Sequence, residues 1–353
     1  MRLLKTLVFT FTISSLFFQC EKERIHNQND DSTFVQKKGA TPLEDGFLKQ
    51  EPSVEENDAF RSGAKSGPAN QNVSYHKISF KGSHNSYERN ETIAEQLTYY
   101  KRNRKTSHNG NCMALEFDIW RHTKPIRNGR VDDRLWTVNH FVNTGPKLSQ
   151  YLKELLDWHK KTPNHYPIMV KLDVKSKNGG FQDFHNQIDV YLNNYFDERL
   201  IYKPGKLFKN SNLSLAENVQ RHGWPSVNAL KGKFIFVLTG NSSWGETYAS
   251  KNLRTQRLCF TMKEMPANRT DVYPPSKGNI AIFNFHIYSK HTSKWKKVIP
   301  RFANKNMLTR VYIANSAKNF RNSIGAKVNC ISTDKIKNHS WAWVNQNGKF
   351  LSR

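Results

Sequence analysis

Hydrophobic and polar positions change their rhythm twice along this chain. Residues 6–18 form an uncharged, largely apolar run, and residues 21–72 are polar with few large apolar groups. From Val73 onward, short β-prone runs alternate with longer stretches in which apolar residues recur every three or four positions. The runs at 78–81, 113–119, 135–139, 168–174, 234–238, 280–285, 307–313 and 328–331 predict eight strands. Residues 146–160 predict a helix, with Leu148, Tyr151, Leu152, Leu155 and Leu156 on one face. A second helix follows the fourth strand, its face formed by Phe181, Phe184, Ile188, Tyr191, Leu192 and Tyr195. A third, at 315–324, is expected to stop at Gly325 as its C-cap. Eight strands joined by connections long enough to hold helices predict an α/β fold, a (β/α)8 TIM barrel spanning residues 73–353. The first crossover is irregular and carries a basic run at 101–105, and the sequence shows no internal repeat.

Chemistry-bearing residues gather at the ends of the predicted strands, where an α/β barrel presents its substrate-facing groups. I-S-F-K-G-S-H-N-S-Y ends the first strand with His84 and Asn85, and L-E-F-D-I-W carries Glu116 and Asp118. W-T-V-N-H carries His140, and I-M-V-K-L-D-V-K carries Lys171, Asp173 and Lys175. Side chains two apart on a strand share a face, so Glu116 and Asp118 point the same way. Two carboxylates that close repel each other unless a cation or a proton lies between them. With Asp173 and the amide oxygen of Asn85 they make an all-oxygen donor set, which suits Ca2+ better than Mg2+. Lys171 and Lys175 share the face of Asp173, either to contact a substrate phosphate or to neutralise the acids. His286, Tyr288 and Arg310 follow or lie on later strands and are candidates to line a pocket. The aromatic pair Trp341 and Trp343 reads as core packing, with an interfacial role as the alternative.

Charge narrows the partners. The chain carries +26, and residues 73–353 hold 46 basic and 19 acidic groups, a net of +27. A field of that sign attracts phosphates. Residues 1–20 read as a signal peptide, too short to span a membrane, with Cys20 placed for lipidation although Gln19 is not the small residue expected before a cleavage site. Residues 21–72 read as a disordered tether. Only Cys112, Cys259 and Cys330 remain after Cys20, so disulfides are not expected to define the fold.

Taken together, H-N-S-Y, E-x-D, the His after a strand, the acid between two lysines, a late T-R-V strand and a terminal G-A-x-x-x-x-I-S-T-D resemble the PLC-like phosphodiesterases. The resemblance spans about residues 75–335 and is strongest to the calcium-dependent, phosphatidylinositol-specific phospholipase C branch of secreted bacterial proteins. It implies a Ca2+-dependent enzyme that cleaves the glycerol–phosphate bond of a phospholipid, phosphatidylinositol first among the candidates. It also implies that Asn85, Glu116, Asp118 and Asp173 hold the metal. His84 would stabilise the phosphate in the transition state, His140 would protonate the leaving glycerol oxygen, and Lys171, Lys175 and Arg310 would contact substrate. Many members have Glu where Asp173 stands, and a metal-independent branch puts an arginine where the calcium lies. A monomer at an anionic membrane surface is expected, secreted or lipid-anchored to a bacterial envelope, with no nucleic-acid partner. The alternatives are a glycerophosphodiester phosphodiesterase of the same fold, whose H-R-G and E-N-T cues are absent, and a catalytically inactive basic barrel that binds anionic membrane or polymer.

Overall fold

Eight parallel strands close on themselves in the computed structural model, which describes residues 72–98, 111–122, 132–176, 184–240, 242–250, 254–339, 341–342, 345–346 and 349–352. In chain order the described strands are β1 (Ile78–Ser83), β2 (Ala114–Arg121), β3 (Trp136–Val138), β4 (Ile168–Val174), β5 (Phe234–Thr239), β6 (Phe260–Met265), β7 (Ile282–His286), β8 (Leu308–Tyr312), β9 (Cys330–Thr333), β10 (Asn345–Gln346) and β11 (Lys349–Ser352). The barrel runs β1-β2-β4-β5-β6-β7-β8-β9 and returns to β1. The helices are α1 (Ile93–Leu97), α2 (Leu148–Lys161), α3 (Phe184–Tyr195), α4 (Leu215–His222), α5 (Ser242–Tyr248), α6 (Thr292–Ala303) and α7 (Ala317–Gly325). Among the described residues no helix is long and apolar enough to cross a membrane.

The barrel count of eight matches the expectation, but its membership does not. β3 is not a barrel strand. It pairs antiparallel with β2, Ile119 opposite Val138 and Arg121 opposite Trp136. A parallel neighbour needs a crossover that returns to the start of the sheet, and only 14 residues with no helical stripe separate β2 from β3. The eighth barrel strand is instead β6, which the sequence pattern hides: Phe260, Thr261 and Met262 are buried, but Lys263 and Glu264 emerge into solvent. Gly325 ends α7 as its last helical residue, and the left-handed turn falls two residues later at Lys327, with φ of 61°. The other expected strands are present within one to two residues at most boundaries.

Strand alternation builds two cores and, above one of them, the site. On β2, Leu115, Phe117 and Ile119 pack outward with Leu152, Leu155, Ile188 and Leu192 of α2 and α3. Ala114 faces the other way and joins Met169, Ile235 and Phe260 in the second core. Continuing that second face along β2 and β4 gives Glu116, Asp118, Lys171 and Asp173, so the apolar packing gives way to charge toward the strands' C-terminal ends. Gly82 of β1 lets the wall close. A Cβ there would lie 2.5 Å from Ser332 Oγ and 2.9 Å from Cys330 Sγ. Cys112, Cys259 and Cys330 are buried thiols, none of them in a disulfide. Trp341 packs edge-on to Phe320, with ring centroids 5.6 Å apart, while Trp343, Phe181, most of the 21–72 segment and the basic run at 101–105 lie outside the described residues.

Candidate active site

Glu116, Asp118 and Asp173 each bring one carboxylate oxygen to within 4.8 Å of the others. The register explains it: Glu116 lies opposite Lys171, and Asp118 opposite Asp173, on neighbouring strands with a common face. Beside them, Gly240 has φ of +101°, and a Cβ there would meet Asp173 Oδ1 at 2.6 Å, so only glycine lets this loop approach the acid. A cavity of about 270 Å³ opens between Gly240, Thr239, Trp244 and Glu264.

The carboxylates are paired with cations from within the barrel. Lys171 Nζ donates to Glu116 Oε1 at 2.6 Å and to Asp173 Oδ2 at 3.1 Å. Lys175 Nζ lies 3.2 Å from Asp173 Oδ2 and 3.4 Å from Asp118 Oδ2. The Arg310 guanidinium donates to Glu116 Oε2, to Asn284 Oδ1 at 3.0 Å and to Ser332 Oγ at 3.0 Å. Burial alone would raise the Glu116 carboxyl, but Arg310 and Lys171 outweigh it and hold the group well below the ordinary glutamate value. Burial likewise works to raise Asp173 and is overcome by Lys171 and Lys175. Of the expected substrate contacts, Arg310 is thus a buried partner of Glu116, 1% exposed, and both lysines are joined to acids.

Two imidazoles flank this cluster, each tied to an acid. His140 Nδ1 lies 3.1 Å from Asp118 Oδ2, and that hydrogen bond raises the imidazole above the ordinary histidine value against the opposing effect of burial. It arrives by the antiparallel return of β3, whose exit is pinned where Asn139 N donates to Asp118 O at 3.0 Å. His84 Nδ1 lies 2.9 Å from Asp334 Oδ1. Asp334 also accepts from Asn315 Nδ2 at 2.5 Å and lies 3.3 Å from Arg89. Burial, which raises the Asp334 carboxyl, is outweighed by His84 and Arg89. Asn85 sits between these groups in the left-handed region, with φ of 45°. Its backbone N–H reaches toward Glu116 Oε2 at 3.5 Å, and its Nδ2 donates to Glu88 Oε2 and meets His140 Nδ1 at 3.1 Å.

Other residues complete the mouth. Tyr87, the last residue of H-N-S-Y, donates to Asp118 Oδ2 at 3.0 Å. Tyr312 stacks against both His84 and His286, with centroids 5.7 and 4.7 Å away, and His286 meets Tyr288 at 3.7 Å. Burial and the nearby His84 push the His286 imidazole down to about 4. The sequence reading missed the roles of Asp334, Tyr312 and Tyr87. Asp334 carried a usable signal, an acid directly after the last barrel strand.

The donor set fits a hard divalent cation on one further observation. Asp118 is 1% exposed, yet its Oδ1 has no hydrogen-bond partner. A buried carboxylate oxygen left bare costs free energy unless a cation reaches it.

Comparison with known proteins agrees with the resemblance. Residues 140–272, under half of the chain, match the model of the family described as "Phosphoinositide phospholipase C, Ca2+-dependent". That span contains His140, Lys171, Asp173 and Lys175 and begins after His84, Glu116 and Asp118. Comparison with curated proteins gave no match. Among solved structures, the chain is similar to a calcium-dependent phosphoinositol-specific phospholipase C from a Gram-negative bacterium, Pseudomonas sp. The two are 20% identical with a TM-score of 0.58, over 81% of this chain and 97% of that one. It is also similar to a Ca2+-dependent phosphatidylinositol-specific phospholipase C from Streptomyces antibioticus, 18% identical with a TM-score of 0.55, over 74% of this chain and 95% of that one. What the chain shares with both is the fold, a closed barrel of eight parallel strands.

Proposed function

We propose, for a chain that resembles the Ca2+-dependent phosphoinositide phospholipases C, a phosphodiesterase of the phospholipase C type that cleaves the glycerol–phosphate bond of a phospholipid. Phosphatidylinositol is the first candidate substrate. The observation that carries this reading is the convergence of three carboxylates within 4.8 Å with two imidazoles, each tied to its own acid.

A phosphodiester resists attack because its anionic oxygens repel nucleophiles, so cleavage needs positive charge, a proton acceptor and a proton donor. Glu116, Asp118 and Asp173, with Asn85 beside them, would hold Ca2+, which when bound supplies charge against the phosphate oxygens. Asp118 accepts the Nδ1 proton of His140 and so favours the doubly protonated ring, whose Nε2 proton can pass to the leaving oxygen. Asp334 likewise accepts the Nδ1 proton of His84, whose Nε2 is the ring nitrogen available to the phosphate. With an inositol head group, the neighbouring 2-hydroxyl of the substrate would attack phosphorus and give its proton to a carboxylate of the cluster, while the bond to the glycerol oxygen breaks and that oxygen takes the Nε2 proton of His140. Tyr312 and His286 present aromatic faces beside His84, and the cavity at Gly240 adds room next to Asp173. Secretion or lipid anchoring through the N-terminal segment accords with a substrate in a membrane surface.

Leaving-group chemistry tests these roles. Removing a positioned acid costs about 10²- to 10⁴-fold in rate. His140→Ala is expected to lose that much on an alkyl ester of inositol phosphate and much less on a nitrophenyl ester, whose leaving group needs no proton. His84→Ala is expected to lose equally on both. Equal losses for His140→Ala on the two esters would remove it as the general acid.

A further inference from the structure

The charges at the mouth form an alternating row. Glu116 Oε1, Lys171 Nζ, Asp173 Oδ2, Lys175 Nζ and Asp118 Oδ2 follow one another at 2.6, 3.1, 3.2 and 3.4 Å, and Arg310 closes the row on the far oxygen of Glu116. Three carboxylates are therefore matched by three cations. A divalent ion entering the cluster meets oxygens that already hold ammonium groups and adds two charges to a balanced set.

One of the three cations has somewhere to go. The side chains of Lys171 and Arg310 are 3% and 1% exposed and enclosed by the barrel wall. Lys175 is 28% exposed, follows the last residue of β4, and makes the longest contacts of the row. Its ammonium also shares Asp118 Oδ2 with His140. A phosphodiester placed to receive the proton of His140 therefore lies within one swing of the Lys175 side chain.

We infer that Lys175 is an exchangeable cation, held between Asp118 and Asp173 until a divalent ion takes its place and then handed to the phosphate of the substrate. This rests on the metal-site reading above and deepens it. Lys171 and Arg310 stay with Glu116 throughout, and the departure of Lys175 makes metal and phosphate bind cooperatively. Coupling between two ligands is reciprocal, so each tightens the other by one common factor.

The test is calorimetry of Ca2+ binding to the full chain and to Lys175→Met, each with and without a non-cleavable inositol methylphosphonate. In the parent chain, the phosphonate is expected to tighten Ca2+ about tenfold or more, within the usual range of such couplings. Lys175→Met is expected to bind Ca2+ about tenfold more tightly than the parent when alone, to bind the phosphonate more weakly with Ca2+ present, and to lose most of the coupling. Lys175→Gln, which keeps a polar end at a partly exposed position, is expected to behave the same way and guards against a folding defect in the first variant. Equal Ca2+ affinity in parent and both variants overturns the exchange alone. Absence of Ca2+ binding in every chain overturns the metal site and the exchange with it.

Discussion

At the residue scale, each histidine of the candidate site is tied to an acid, and the roles proposed for the histidines rest on those acids. Asp334→Asn replaces the carboxylate that accepts the Nδ1 proton of His84, so the ring loses its fixed tautomer. The expected outcome is a rate loss of about 10²- to 10⁴-fold with an unchanged melting temperature, checked by initial rates and thermal unfolding side by side. Glu116 behaves differently. It lies between Lys171 and Arg310, all three buried, so Glu116→Gln leaves two cations without their shared partner. Breaking such a pair costs about 3–5 kcal/mol, and chemical denaturation is expected to show that loss directly. Asp173→Asn, closer to solvent and shared by two lysines, is the better variant for asking about the metal. The acids of the site were legible because E-x-D and K-x-D-x-K place their side chains on one strand face by period two alone. Lys171 and Lys175 were legible as their partners on the same ground, but Arg310 was not: its ion pair with Glu116 spans 194 residues, and only barrel closure brings the two together.

At the element scale, the apolar runs predicted β4 and β5 and the 3.6 period predicted α2 to within about two residues, because the two strands are buried on nearly every residue and the helix buries one face. β3, expected in the barrel, lies outside it, and β6, absent from the expected strands, lies in it, for opposite reasons. β3 has the apolar content of a barrel strand but pairs antiparallel, and this return is what sets His140 beside Asp118. β6 is a barrel strand whose outer half is polar. The loop before β4 carries a pH dependence of its own. His165 is 2% exposed, its Nδ1 faces Tyr166 O at 2.5 Å, and its Nε2 faces His159 Nδ1 at 3.1 Å. Burial pushes its imidazole down to about 3. A histidine depressed in the folded state is neutral there while the unfolded chain takes up protons near 6.5. Its contribution to stability is complete above that value and is lost as pH falls toward 3. Between pH 7 and pH 5 this amounts to about 2 kcal/mol. Urea unfolding at the two pH values is expected to show a smaller difference for His165→Gln than for the parent chain.

At the scale of the whole molecule, all of the excess positive charge lies in residues 73–353, which carry +27 against +26 for the whole chain. The polar 21–72 segment holds seven basic and ten acidic residues and adds no attraction to phosphate. A chain beginning at Gln71 is expected to keep its melting temperature and its rate on a soluble substrate, and loss of either would show that the removed segment supports the barrel. Binding to anionic vesicles is expected to weaken as salt rises, since exposed charges are screened beyond about 8 Å at physiological ionic strength. The most direct measurement is release of water-soluble inositol phosphate from phosphatidylinositol vesicles by the intact protein, with Ca2+ and with Ca2+ chelated. The account predicts release that requires Ca2+ and disappears in Asp173→Asn. Equal release under chelation, or none from phosphatidylinositol under any condition, would contradict it.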